Sequence, residues 1–155
     1  MGSTKVPINA MTGSACDPTC PTSWVSYDVA VHQRSIIPCS GLAFAITHND
    51  DLFFNDIDKC AIVDDRGAVT GWNDTAMAMI RMLPGALVEV SQSGKGLHII
   101  GRHSRLVEHS CKNTANRLEL YTADRFIAMG DMTTAQGDSG AVVDIAPLVD
   151  TYFQP

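Results

Sequence analysis

Six short apolar-rich runs constrain this chain more than any other feature: Gly41–Thr47, Leu52–Cys60, Ala86–Ser91, Leu97–Gly101, Arg117–Thr122 and Arg125–Met129. Each has the length of a strand and ends in turn formers or charged residues, so a sheet must supply most of the core. The last two are expected to pair with each other around Ala123-Asp124. Helices account for less of the chain. Thr22 or Ser23 can cap a short helix through about Gln33, with Trp24, Tyr27 and Val31 on its apolar side. Asn73 can cap another through Leu83, with Ala76, Met79, Ile80 and Leu83 at helical spacing and Pro84-Gly85 ending it. Ile145 to Phe153 reads as a last helix that closes the core, and Asp64-Asp65-Arg66-Gly67 as a turn. Residues 1–22, rich in Pro, Thr, Ser and Gly, read as an irregular arm. The expectation is a single α+β domain over residues 1–155, with a mixed or antiparallel sheet and flanking helices.

Composition narrows the function. At 155 residues, 45% hydrophobic and 18% charged, the chain can bury one core. No apolar run approaches the roughly 20 residues that span a bilayer, and Met1 to Lys5 lacks the apolar stretch of a signal peptide. Five cysteines are an odd and scattered set, which suits free thiols in a reducing cytoplasm. Cys16-x-x-x-Cys20 has no second pair with zinc-ligand spacing. A net charge of −6 argues against a protein that coats DNA by charge alone. It is compatible with acids clustered around metal ions, which reverse the local field.

Three segments carry chemistry. On a strand, Asp56 and Asp58 would share one face while Ile57 points to the core. Two carboxylates so close repel unless a cation lies between them, and Mg²⁺ or Mn²⁺ suits oxygen ligands. In Glu89-Val-Ser-Gln-Ser-Gly-Lys-Gly-Leu-His98, Gly94 and Gly96 allow close backbone approach to a ligand. Ser93, Lys95 and the backbone N–H groups can cradle phosphate, and His98 can donate to a phosphate oxygen. Glu89 either supports that site or is an exposed strand charge, and the second reading is preferred. In Leu118-Glu119-Leu120-Tyr121, Glu119 is set opposite the leucines as a third acid, with Tyr121 assigned to the leucine side. Arg125 can pair with a phosphate, or else with Asp124 or Asp131 at the surface.

The order of these parts resembles the catalytic core of phage and plasmid primase-polymerases, in the archaeo-eukaryotic primase superfamily. The resemblance takes in Lys5-Val-Pro7, Gly13, Trp24-Val-Ser-Tyr27, Gly41-Leu-Ala-Phe44, Asp56-Ile-Asp58-Lys-Cys60, Gly67 and Trp72. It continues through Glu89 to His98, Leu118 to Tyr121, and Arg125-Phe-Ile-Ala-Met-Gly130. Asn55 departs from it, since a small residue such as Gly is more usual there. What the resemblance implies is two-metal nucleotidyl transfer with dNTP or NTP on a DNA template and primer. Asp56, Asp58 and Glu119 would bind Mg²⁺ or Mn²⁺, His98 would complete the catalytic set, and Ser93, Gly94, Lys95, Gly96, His98 and Arg125 would bind the nucleotide. It also implies a C-terminal helical or helicase domain in the full-length protein, and a cytoplasmic location (the host's if phage-encoded). The same acids could serve a metal nuclease, and an inert nucleotide-binding module is a further class. Gly137-Asp-Ser-Gly140 is the string around a chymotrypsin-like nucleophile, which would make Ser139 a protease serine with His48, His98, His103 or His109 as base.

Overall fold

The computed structural model describes residues 5–155. Its elements in chain order are α1 (Tyr27–Arg34), β1 (Ala43–Ile46), β2 (Leu52–Ile57), β3 (Ala61–Val63), β4 (Val69–Trp72), α2 (Asp74–Met82) and β5 (Leu87–Val90). Then follow β6 (Leu97–His103), β7 (Lys112–Asn113), β8 (Leu118–Tyr121), β9 (Arg125–Ala128), β10 (Asp131–Gln136), β11 (Val142–Val143) and α3 (Ala146–Tyr152). The fold is α+β. A seven-stranded sheet runs β10-β5-β6-β2-β8-β7, and β11 adds to it parallel to β6. Its other pairings are antiparallel. Two antiparallel ribbons, β1-β9 and β3-β4, complete the strands.

Strand alternation divides the main sheet into two unlike faces. One carries Phe53, Ile57, Leu97, Ile99, Leu118 and Leu120, all buried. Against it pack Ala76, Met79 and Leu83 from the α2 region, and Ile145, Leu148, Val149 and Phe153 from α3 and its flanks. α2 begins where expected, with the Asn73 side chain accepting from Ala76 N at 2.9 Å. The opposite face carries a smaller cluster, in which Phe54, Tyr121 and Ile100 meet Ile46 and Ile127 of the β1-β9 ribbon.

Several sequence expectations are corrected. β8 and β9 do not pair with each other. Both edges of β8 are already taken by β2 and β7, and a bend with Asp124 at φ 50° carries the chain out of the sheet to β1. The first helix starts later than expected, at Tyr27 under a Ser26 cap, after a 3-10 turn at Pro21–Ser23. None of its residues is buried, and Tyr27 and Val31 lie exposed. β1 was expected as a buried strand, yet only Ile46 of it is buried, because β9 is its single strand neighbour. No helix among the described residues is long and apolar enough to cross a membrane.

This division of the core has a direct consequence. Leu148→Ala should cost about 2–5 kcal/mol in urea denaturation, as for other buried leucines. Val31→Ala on α1 should cost under about 1 kcal/mol, because no core contact is lost there.

Candidate functional site

Register brings distant acids together. Asp56 on β2 stands directly opposite Glu119 on β8 and His98 on β6. His98 is in turn opposite Glu89 on β5, and Glu119 opposite Lys112 on β7. Lys112, Glu119, Asp56, His98 and Glu89 thus form one row across five strands, on the face away from α2 and α3. At about 4.8 Å per strand the row is about 19 Å long. The neighbouring row on that face includes Tyr121, Phe54 and Ile100, which the β1-β9 ribbon covers. Over the middle of the charged row the ribbon leaves a gap. A cleft of about 340 Å³ remains, in which Asp56, His98 and Glu119 face Lys5, Arg125 and Phe126.

The two opposed carboxylates have different surroundings. Glu119 Oε1 accepts from Lys112 Nζ at 2.9 Å, and Oε2 from the Tyr121 hydroxyl at 2.7 Å. Arg125 lies 3.9 Å from Oε2 and 4.6 Å above the Tyr121 ring. Burial pushes the Glu119 carboxyl up, but these hydrogen bonds and charges outweigh it and hold the group below its ordinary value. Burial and the hydrogen bond to Glu119 push the Tyr121 phenol up. Asp56 has no such support, and its Oδ1 is buried with no hydrogen-bond partner. Burial pushes its carboxyl up to about 6, with Asp58 and Glu119 adding to the rise and His98 and Lys5 opposing it.

His98 is 3% exposed. Its Nδ1 lies 2.8 Å from Glu89 Oε1, its Nε2 lies 3.8 Å from Asp56 Oδ1, and its ring leans on Phe54 with centroids 4.8 Å apart. Glu89 is fully buried, which corrects its reading as an exposed strand charge. Its place in the row, flanked by β6 and β10, leaves it no access to solvent.

Asp58 is also corrected. β2 stops at Ile57, and Asp58 lies exposed in the turn before Lys59, which sits at φ 53°. The two aspartates are therefore not i and i+2 of one strand, although the charge of Asp58 is still felt by Asp56. The Ser93-Gly94-Lys95-Gly96 loop joins β5 to β6 at the same edge of the sheet as the Asp58 turn. A Cβ at Gly96 would come within 2.8 Å of the Ile57 carbonyl, so glycine lets the loop close on the Asp58 turn. The loop's polar groups are largely closed on themselves. The Ser91 hydroxyl meets that of Ser93 at 2.9 Å and accepts from Gly96 N, while the Ser93 hydroxyl accepts from Lys95 N. The structure therefore gathers Asp56, His98, Glu119 and Arg125 in one cleft. Asp58, Ser93, Gly94, Lys95 and Gly96 lie beyond its lining.

Tyr121 is corrected to the face of Glu119, as a period of two requires. Lys112 carried no sequence signal, because it acts from a two-residue strand. Arg125 pairs with Glu119, and not with Asp124 or Asp131. Asn55 sits in regular β2, pointing to the core face, where its amide donates to the Glu119 carbonyl at 3.1 Å. Ser139 is exposed, and the Asp138 side chain beside it accepts from Gly140 N at 2.8 Å.

The orphaned, buried Asp56 oxygen next to two further carboxylates suits a hard cation. Among the described residues no three His, Cys, Asp or Glu side chains are gathered closely enough to hold one as they stand. Glu119 would first have to leave Lys112 and Tyr121. The chain matches no family model, and a search of curated proteins finds no significant match.

Opposite stability effects follow for the two acids. The folded state binds the Asp56 proton more tightly than an ordinary aspartate does, so its ionisation costs stability as pH rises from about 4 to about 6. In metal-free buffer, Asp56→Asn should raise Tm at about pH 7.5, and the gain should vanish near pH 4. The contacts of ionised Glu119 stabilise above its ordinary range and are lost on acidification. Glu119→Gln should therefore lower Tm at about pH 7.5 and converge with wild type in acid. Thermal denaturation at both pH values checks the pair, and shifts of the same sign would contradict the assignment.

Proposed function

We propose that this chain is a template-dependent nucleotidyl transferase, a DNA primase/polymerase catalytic core working in the cytoplasm. One observation carries the reading: the row Glu119–Asp56–His98 opens on a cleft whose other wall supplies Lys5 and Arg125. Acids on one side suit divalent metal, and cations on the other suit a triphosphate. Asp56, Asp58 and Glu119 would hold two Mg²⁺ or Mn²⁺ ions. When bound, such ions lower the pKa of an attacking 3′-hydroxyl and stabilise charge on the α-phosphate.

The remaining roles fall to the chain's own groups. As imidazolium, with both ring nitrogens donating, His98 would meet Glu89 through Nδ1–H and a phosphate oxygen through Nε2–H. Arg125, held over Tyr121, can turn its guanidinium from Glu119 to phosphate, leaving that carboxylate free for metal. Tyr121 and Lys112 keep Glu119 ionised until then. Lys95, exposed on the β5-β6 loop, is the cation that the loop offers to the triphosphate, with Ser93, Gly94 and Gly96 shaping its approach. Template and primer would lie along the open side of the cleft, and a C-terminal helical or helicase domain would help to hold them. No protein nucleophile is required.

Primer extension on a primed single-stranded template, with Mg²⁺ or Mn²⁺, tests this. Asp56→Ala should reduce extension at least about 100-fold, in the range seen when a group that stabilises the transition state is removed. His98→Ala and Arg125→Ala should raise KM for the nucleotide. Unchanged extension in Asp56→Ala would remove the metal role. Cleavage of labelled DNA without extension would move the same acids to a nuclease.

A further inference from the structure

We infer that Glu89 is a positioning residue for His98: its buried carboxylate holds the imidazole by Nδ1–H, so that Nε2 is the ring nitrogen presented to the cleft. Glu89 does not line the cleft and touches nothing that could be a substrate. It is 0% exposed, and two donors converge on its Oε1, His98 Nδ1 at 2.8 Å and Gly130 N at 2.6 Å. Its Oε2 has no partner, and neither Lys nor Arg lies within ion-pair distance of it among the described residues. Stability alone is a poor reason for such a group, because an apolar side chain of similar volume generally costs less in a core. A carboxylate at the far nitrogen of a functional histidine has a clear use: it fixes ring orientation and tautomer.

The surroundings are built to the same end. Gly130 can bring its N–H to Glu89 only because it lacks a side chain. A Cβ there would collide with the Val90 carbonyl and lie 2.9 Å from Glu89 Oε1. Gly130 directly follows β9 and Met129, so one carboxylate ties the cleft's ribbon wall to the histidine on its floor. Phe54 holds the ring from its side. Nε2 then stands 3.8 Å from Asp56 Oδ1, too far for a hydrogen bond, and is free to donate to a phosphate when the ring carries both protons.

The hydrogen bond stands independently of any activity, whereas its effect on nucleotide affinity rests on the proposed function. Long-range ¹H–¹⁵N spectra of the full chain, labelled at histidine, report the ring directly. The neutral His98 ring should carry its proton on Nδ1 in wild type and in Glu89→Gln, whose carbonyl can still accept it, and should lose that preference in Glu89→Leu. Affinity for a Mg²⁺–dNTP should fall about ten-fold or more in Glu89→Leu but stay near wild type in Glu89→Gln, the scale typical of residues that orient a functional histidine. In a His98→Ala background, Glu89→Leu should cost nothing further. A wild-type ring protonated on Nε2, or losses that add in the double variant, would overturn the inference. The wild-type spectrum decides the matter even if Glu89→Leu fails to fold. Absence of any nucleotide binding, with the Nδ1–H signature present, would count against the polymerase reading alone.

Discussion

Two carboxylates standing directly opposite each other at the centre of a sheet are an unfavourable pair, and the rest of this site is arranged around that fact. Asp56 and Glu119 occupy facing positions on β2 and β8. The conflict is resolved unequally. Lys112, Tyr121 and Arg125 gather on Glu119, and its charge is held. Asp56 is left with an unpartnered oxygen, the imidazole of His98 beyond bonding distance, and a carboxyl raised to about 6. A cation entering the cleft would relieve Asp56 first.

This arrangement is possible because the two faces of the sheet do different work. The helix-covered face, with Phe53, Ile57, Ile99 and Leu120, buries the apolar area on which folding depends. The other face needs only a small apolar patch, Phe54 and Tyr121 under Ile46 and Ile127. Its next row can then be charged. Glu89 marks the inner limit of that row, where the carboxylate is shut off from solvent and must live on the donors of His98 and Gly130. The β1-β9 ribbon is thus both a lid over the patch and the wall that aims Arg125 at the acids.

Much of the fold was legible in the residues. Run length and alternation identify β2, β5, β6, β8 and the segment of β9, and Asn73 marks the start of α2 because an Asn cap satisfies free N–H groups. The α3 helix is equally plain from its apolar spacing. Pairing was less legible. Consecutive strands Arg117–Thr122 and Arg125–Met129 look like a hairpin, but β8 already has two neighbours. Apolar content also misled at α1 and β1, where Tyr27, Val31 and Phe44 stay exposed for want of a covering element.

For the site, the residues carry their chemical types and spacing on their own: an Asp-x-Asp, a Gly-rich loop leading to His98, and Glu119 between leucines. Tyr121, assigned to the leucine side, shares instead the side of Glu119, as the alternation of a strand backbone requires. Folding alone brings Asp56, His98 and Glu119 to one cleft and turns Asp58 out of the strand. It alone decided that Glu89 is buried against His98, and that Lys112 reaches Glu119 from a two-residue strand. The physical reason is register. Which residues stand opposite each other across a sheet depends on how strands far apart in the chain are paired, and the spacing within any one strand carries no record of that.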